Sequence, residues 1–270
     1  MYRLIRECYK YYAGMSPCGI IPGIGINAFN EIVNATSIWD NKKLKLADID
    51  FEFIVTKAGV KKNPLNPERW LIRYQFMEIF VRLAIHKYFK SKIVESQSEA
   101  VSKLMKENLF PFFEKFDWVK WRIDNLYNNE WEEVLNKYQS TLLKLYNRYS
   151  GKFSMPGRPN FMSIEEFISL INDSQVLINE SGVGNGELGA QFNLSMMTQI
   201  NEVDRDRHFQ MMFNEFCEAI ARVACKIQDF PDLNEQFYST NEETKSGPAV
   251  VRNRGSSIDT SSDDENTNTP

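Results

Sequence analysis

The 270-residue sequence predicts an all-α protein of two lobes, each a pair of helix–loop–helix units, joined by a helical linker and followed by a disordered C-terminal tail. Three observations lead there. First, the chain resembles itself at a distance of 140 residues: Gln75-Phe76-Met77-Glu78-Ile79-Phe80-Val81-Arg82-Leu83-Ala84 lies over Glu215-Phe216-Cys217-Glu218-Ala219-Ile220-Ala221-Arg222-Val223-Ala224. Phe, Glu, Arg and Ala coincide, with hydrophobes between them, as in a repeated supersecondary unit. Two unrelated amphipathic helices are the competing explanation of that match. Second, one hydrophobic spacing occurs three times: Ile24, Ile26, Phe29 and Ile32; Met162, Ile164, Phe167 and Leu170; Met211, Phe213, Phe216 and Ala219. Short strands are expected to pair the loops around Ile24–Leu71 and Met162–Met211, and Phe76, Phe167 and Phe216 to be buried at equivalent places in their units. Third, 43% of the residues are apolar and 13% aromatic, ample for a sizeable helical core.

Taken in order, residues 1–13 read as a helix, with Leu4, Ile5, Cys8 and Tyr12 at helical spacing. A Gly- and Pro-rich loop, residues 17–28, follows without a carboxylate. Residues 44–58 read as the entering helix of a second unit, with Gly59 as its stop. The second loop, residues 64–75, carries two prolines, Glu68, Arg69 and Arg73, and its exiting helix runs to about Phe89. Residues 1–92 thus form the first lobe. Residues 93–128 depart from the pattern: Ser96 to Glu99 resembles a capping box, and Phe110, Phe112, Phe113, Phe116, Trp118 and Trp121 mark a packed helical linker.

Residues 129–228 form the second lobe. Its first helix, residues 130–149, carries Trp131, Val134, Leu135, Tyr138, Leu142, Leu145 and Tyr146 on its apolar side. A third loop, residues 155–166, ends in Glu165 and Glu166. Residues 187–197 lead into the fourth unit. Residues 229–270 are polar and read as a disordered tail.

The fourth loop carries the most chemistry. Counted from Asp204, Asp206 falls on the third position, Met211 on the eighth and Glu215 on the twelfth. That is the spacing of an EF-hand Ca²⁺ loop, which places acidic ligands at positions one, three and five and a bidentate Glu at twelve. The rest of the ligand set is damaged. His208 holds the fifth position, and hard cations prefer oxygen. Phe209 holds the sixth, where the sharp turn favours Gly and a bulky residue with positive φ is strained. Arg205 and Arg207 partly cancel the acidic charge. Asp204, Asp206 and Glu215 are therefore read as a vestigial metal site, and no cofactor is expected.

Four such units in two pairs resemble the calmodulin-like EF-hand superfamily. More narrowly, NPERWLIRYQFMEIFVRLAI (66–85) and FNLSMMTQINEVDRDRHFQMMFNEFCEAIARVA (192–224) resemble segments of a family of divergent EF-hand-like proteins of ciliates and other flagellated protists. That resemblance implies a place in the cytoplasm and cytoskeleton, in the cilium or axoneme, with tubulin or other axonemal proteins as partners.

The net charge of −4 argues against nucleic acid as a partner. No apolar run approaches 18 residues, and the N-terminus is not a signal peptide, so no membrane is expected. Cys8, Cys18, Cys217 and Cys225 include no CxxC pair and read as reduced thiols. The two histidines, His86 and His208, lie in no catalytic motif, so no enzymatic activity is expected. Residues 57–92 hold nine Lys/Arg against two Glu, either a solvated face or a surface for an acidic partner. Lys57, Lys61, Lys62, Arg69 and Arg73 are the partner-binding candidates. In the tail, Ser261 and Ser262 precede Asp263, Asp264 and Glu265, the context an acidophilic kinase prefers. The expected function is a structural or adaptor protein that binds helices or filament surfaces without Ca²⁺. The alternative is a Ca²⁺-responsive regulator using the fourth loop.

Overall fold

The first helix, α1 (Tyr2–Met15), buries Leu4, Ile5, Cys8, Tyr9, Tyr12 and Ala13, a single inward stripe at helical spacing. It belongs to a computed structural model that describes residues 2–16, 22–58, 65–174, 183–196 and 206–228, all within one compact unit, Met1–Phe230. The tail, including Ser261 and Ser262, lies outside the described residues. The described chain is mostly helical.

In the first pair of units, strand β1 (Ile24–Gly25) leads straight into α2 (Ile26–Thr36). Helix α3 (Leu46–Lys57) precedes strand β2 (Trp70–Leu71), which leads into α4 (Arg73–Ala84). The two strands pair antiparallel, Ile24 with Leu71 and Gly25 with Trp70, so the first and second loops are joined as the shared spacing implies. Beyond Ala84 the chain takes one π turn, Ile85–Phe89.

Helix α5 (Gln97–Leu104) starts where Ser96 Oγ accepts from the Glu99 amide at 3.1 Å, the cap legible in the sequence. A second π turn (Met105–Leu109), α6 (Phe110–Phe113) and a 3₁₀ turn (Glu114–Phe116) follow. Leu104, Leu109, Phe112, Phe113 and Phe116 from this segment belong to the same buried cluster as Phe29, Phe76 and Phe80. Its aromatics therefore extend the first core, with Phe113 meeting Phe80 at 5.8 Å between ring centroids. Helix α7 (Trp118–Asn125) then opens on Asp117, whose carboxylate accepts from the Lys120 amide.

The second pair comprises α8 (Asn129–Tyr149), α9 (Ile164–Asp173), α10 (Asn185–Ser195) and α11 (Phe213–Gln228). Here the loops meet through one antiparallel bridge: the Met162 amide donates to the Met211 carbonyl at 2.9 Å, and the Met211 amide returns a bond at 3.0 Å. Phe76, Phe167 and Phe216, expected at matching buried places, are all 0% exposed, as is Phe29 in the first unit. The apolar side read for α8 is covered only in part. Tyr146 is buried, and Trp131, Leu135 and Leu142 are half-buried, but Val134 and Tyr138 stand 47% exposed and Leu145 37%. The apolar stripe of α8 is wider than the face that α9 and α11 cover.

The two pairs are tied by α1, which packs on α10. The backbones touch where Gly14 faces Gly189: a Cβ on Gly189 would fall 2.2 Å from the Gly14 carbonyl oxygen, and one on Gly14 2.5 Å from the Gly189 oxygen. No side chain fits that crossing. Around it, Tyr11 donates to Glu187 at 2.7 Å, Lys10 to the Met196 carbonyl at 2.8 Å, and Asn193 to the Lys10 carbonyl at 3.2 Å. Among the described residues no helix is long and apolar enough to cross a membrane.

Candidate functional site

Each loop ends where its second helix begins, so the twelfth loop position is also the third residue of that helix. A side chain there can reach back to the helix's free amides. Ala28, Gln75, Glu166 and Glu215 hold this place in the four units. Ala28 has nothing to offer. The other three are buried and already bonded.

In the second loop, Gln75 Oε1 accepts from the Ile72 amide at 3.1 Å and from Lys57 Nζ at 2.9 Å. The same ammonium donates to Asn66 Oδ1, at the third loop position, at 2.5 Å. Lys57 arrives from the last turn of α3. In the third loop both oxygens of Glu166 are taken by amides, Oε2 by Ser163 and Oε1 by Lys152, each at 2.7 Å. The Phe161 carbonyl, at the seventh position, accepts from the Gly151 amide at 3.0 Å. In the fourth loop, Glu215 Oε2 accepts from the Met212 amide and from Arg207 Nη2, both at 2.9 Å. Arg207 Nη1 donates to the Gln210 carbonyl, the seventh position of that loop. Protein cations thus hold the polar groups of the second and fourth loops, and backbone amides hold those of the third.

The expected strain at Phe209 does not arise. The chain takes a 3₁₀ turn, Asp206–Phe209, and among the described residues positive φ occurs only at Ser37, Asn41, Lys92, Gly151 and Gly157. With no Gly at the sixth position the loop abandons the left-handed turn. His208 is buried, its ring 4.0 Å from that of Phe209. Asp204 lies outside the described residues, and Asp206 opens the 3₁₀ turn. Among the described residues no three His, Cys, Asp or Glu side chains converge on a common point for a metal ion.

Three of the five basic candidates lie among the described residues. Lys57 is half-buried and points into its own loop; Arg73 is half-buried and Arg69 exposed. Lys61 and Lys62 lie outside the described residues. Two other basic residues of that stretch are also engaged: Lys87 donates to the Ile38 carbonyl at 2.5 Å, and Arg82 to Glu78 at 2.7 Å.

Sequence reading missed a buried polar cluster where α7 meets α10 and α11. Arg122 Nε donates to both oxygens of Glu218 at 3.0 Å, and its Nη2 donates to the Leu194 carbonyl at 2.9 Å. Arg222, 1% exposed, donates from Nε to Glu218 Oε1 at 2.8 Å. Its Nη2 pairs with the same carboxylate oxygen at 2.7 Å without hydrogen-bond alignment, and its guanidinium lies 4.0 Å from the centre of the Trp121 ring system and 5.0 Å from that of Trp118. The aromatic faces add cation–π contacts to that ion pair. Burial lowers the Arg222 pKa to about 10, against the opposing pull of Glu218. Burial likewise lowers the Lys10 pKa, with Glu7 opposing. Glu218 and Arg222 do occur in the 140-residue match, over Glu78 and Arg82. Their partner Arg122 lies outside that match, so nothing in the repeat announces the cluster.

A concave surface of about 710 Å³ lies between the third and fourth loops, with Phe153, Met155, Arg158, Phe161, Phe209 and Met212 in its lining. Met155 is 74% exposed, whereas Met162, Met196 and Met211 are core. No protein-family model matches the chain, and no curated protein or solved structure does either.

Proposed function

We propose that this chain is a non-enzymatic interaction protein, built on two pairs of EF-hand-like units, that works without Ca²⁺. The observation that carries the reading is the filling of the second and fourth loops by Lys57 and Arg207. A Ca²⁺ ion entering the fourth loop would have to displace a guanidinium from Glu215 and from the seventh carbonyl. It would find fewer charged oxygens than sensors of micromolar affinity supply. The loops are paired and the helices packed around these internal donors. This weighs against the alternative, a Ca²⁺-responsive regulator using the fourth loop.

The exposed Met155 and Met212 beside the concave surface support a role in binding apolar protein segments, since Met adapts to varied partners. An adaptor or structural role in an axonemal or other cytoskeletal assembly follows from the family resemblance. Titration calorimetry tests the metal side of the reading. Ca²⁺ should give no binding heat and no shift in the thermal melt, and a micromolar dissociation constant at the fourth loop would overturn it. Retention on salt-extracted axonemes tests the assembly side, which release into the soluble fraction would overturn.

A further inference from the structure

Helix α8 is 21 residues long, the longest among the described residues, and two apolar rows run along it. Leu135, Leu142 and Tyr146 turn towards α9 and α11. Beside them, Val134, Tyr138, Thr141 and Leu145 stand in water, with Val134 and Tyr138 47% and Leu145 37% exposed. These four are spaced four, three and four apart, the spacing of a coiled-coil seam. The far side of the helix is polar apart from Leu143, with Asn136, Ser140 and Asn147 along it.

The charges of α8 are ordered and free. Glu130, Glu132 and Glu133 stand at its start and Lys144 and Arg148 at its end, the order the helix dipole favours. All five are exposed, and among the described residues none of them enters an ion pair. Lys137, between the two groups, lies 5.1 Å from the ring centre of its neighbour Tyr138. Turned end for end, a second α8 lays its Leu145 on Val134 and its Thr141 on Tyr138, small against large at the centre. The same turn brings each acidic start beside the basic end of the other copy and opposes the two dipoles. A parallel pair would set acid on acid and base on base.

We propose that α8 docks a second copy of this chain along Val134, Tyr138, Thr141 and Leu145, antiparallel about a two-fold axis between Gln139 and Ser140. The charges select the occupant: it must set base against the start of α8 and acid against its end, and a reversed α8 does both. The surface is self-complementary, as an isologous interface requires. Its seam runs for only about 17 Å, so the dimer is reversible and concentration-dependent.

Sedimentation equilibrium of the full chain over a wide concentration range should show the average mass rising from 31.5 kDa towards twice that value. Tyr138→Glu should hold the chain at monomer mass while leaving the thermal melt of the dilute protein in place. Charge reversal tests the choice of occupant. One chain carries Glu130→Lys, Glu132→Lys and Glu133→Lys, and another carries Lys144→Glu and Arg148→Glu. Each alone should associate more weakly than the native chain, and an equimolar mixture of the two should regain the dimer. Cysteine cross-linking tests the direction against the background of the native thiols. A mixture of Val134→Cys and Leu145→Cys chains should form covalent dimer on oxidation, and neither variant alone should. A chain that stays monomeric at every concentration would overturn the proposal, as would self-association that Tyr138→Glu or both charge reversals leave intact. Cross-linking of Val134→Cys alone would show a parallel pair and refute the antiparallel one.

Discussion

Helices α4 and α11 carry the same pattern, Phe then Glu then Arg, and put it to different uses. In α4, Glu78 and Arg82 form an i,i+4 pair with side chains 38% and 36% exposed. In α11, Glu218 and Arg222 make the same pair with both side chains 1% exposed. The difference is what lies on the outer face. Against α11, α7 brings Arg122, Trp118 and Trp121, which close the pair off from water. Among the described residues nothing equivalent covers Glu78 and Arg82 on α4. An exposed i,i+4 pair is worth a few tenths of a kcal/mol, whereas removing one member of a buried pair leaves a stranded charge. Identical residues at identical spacing therefore contribute on different scales, and the covering element sets which.

The largest effect should come from breaking the buried pair. Glu218→Ala leaves Arg122 and Arg222 facing each other with no carboxylate between them. It should cost about 3–5 kcal/mol, read from the midpoint of urea unfolding. A loss comparable to that of a surface substitution would mean that the cluster is solvated and the contrast with α4 unfounded.

Just inside that face the two helices should behave alike. Phe76 and Phe216 are both 0% exposed and stand at the head of their stripes. Phe76→Ala and Phe216→Ala should each cost about 3–5 kcal/mol, within experimental spread of one another. A marked difference in either melt would show that the repeat in sequence is not a repeat in packing.

These pairs of residues also show how far the sequence could be read. Phe76 and Phe216 were legible because burial of a stripe follows from helical period alone. The loop pairing at Ile24–Leu71 and Met162–Met211 was legible because one spacing fixes where each loop meets its helix. The destination of a long flexible cation was not. Lys57 reads as one more charge in a basic run, and only the fold shows its ammonium between Asn66 and Gln75. Arg207 was legible in sign, as a charge that cancels the loop's acids, but not in its partner Glu215. The Arg122–Glu218 contact spans 96 residues and joins two separate helices, so no local pattern encodes it. The exposed half of α8 escaped for the opposite reason. Its apolar stripe is real, but the width that neighbours cover is a tertiary fact.

The smallest effect should come from the exposed counterpart. Arg82 reaches Glu78 Oε1 through Nε at 2.9 Å and Nη2 at 2.7 Å, good geometry on a water-facing helix side. Water already solvates both groups in the unfolded chain, and salt screens them in the folded one. Glu78→Ala should therefore cost only about 0.3–0.5 kcal/mol, and the cost should shrink as ionic strength rises. The buried pair offers the contrast, because its desolvated charges are screened much less by added salt. Melts of Glu78→Ala and Glu218→Ala at low and high salt separate the two cases. If both losses fell in parallel with added salt, ions would be reaching Glu218, and α7 would not be sealing α11 as its contacts indicate.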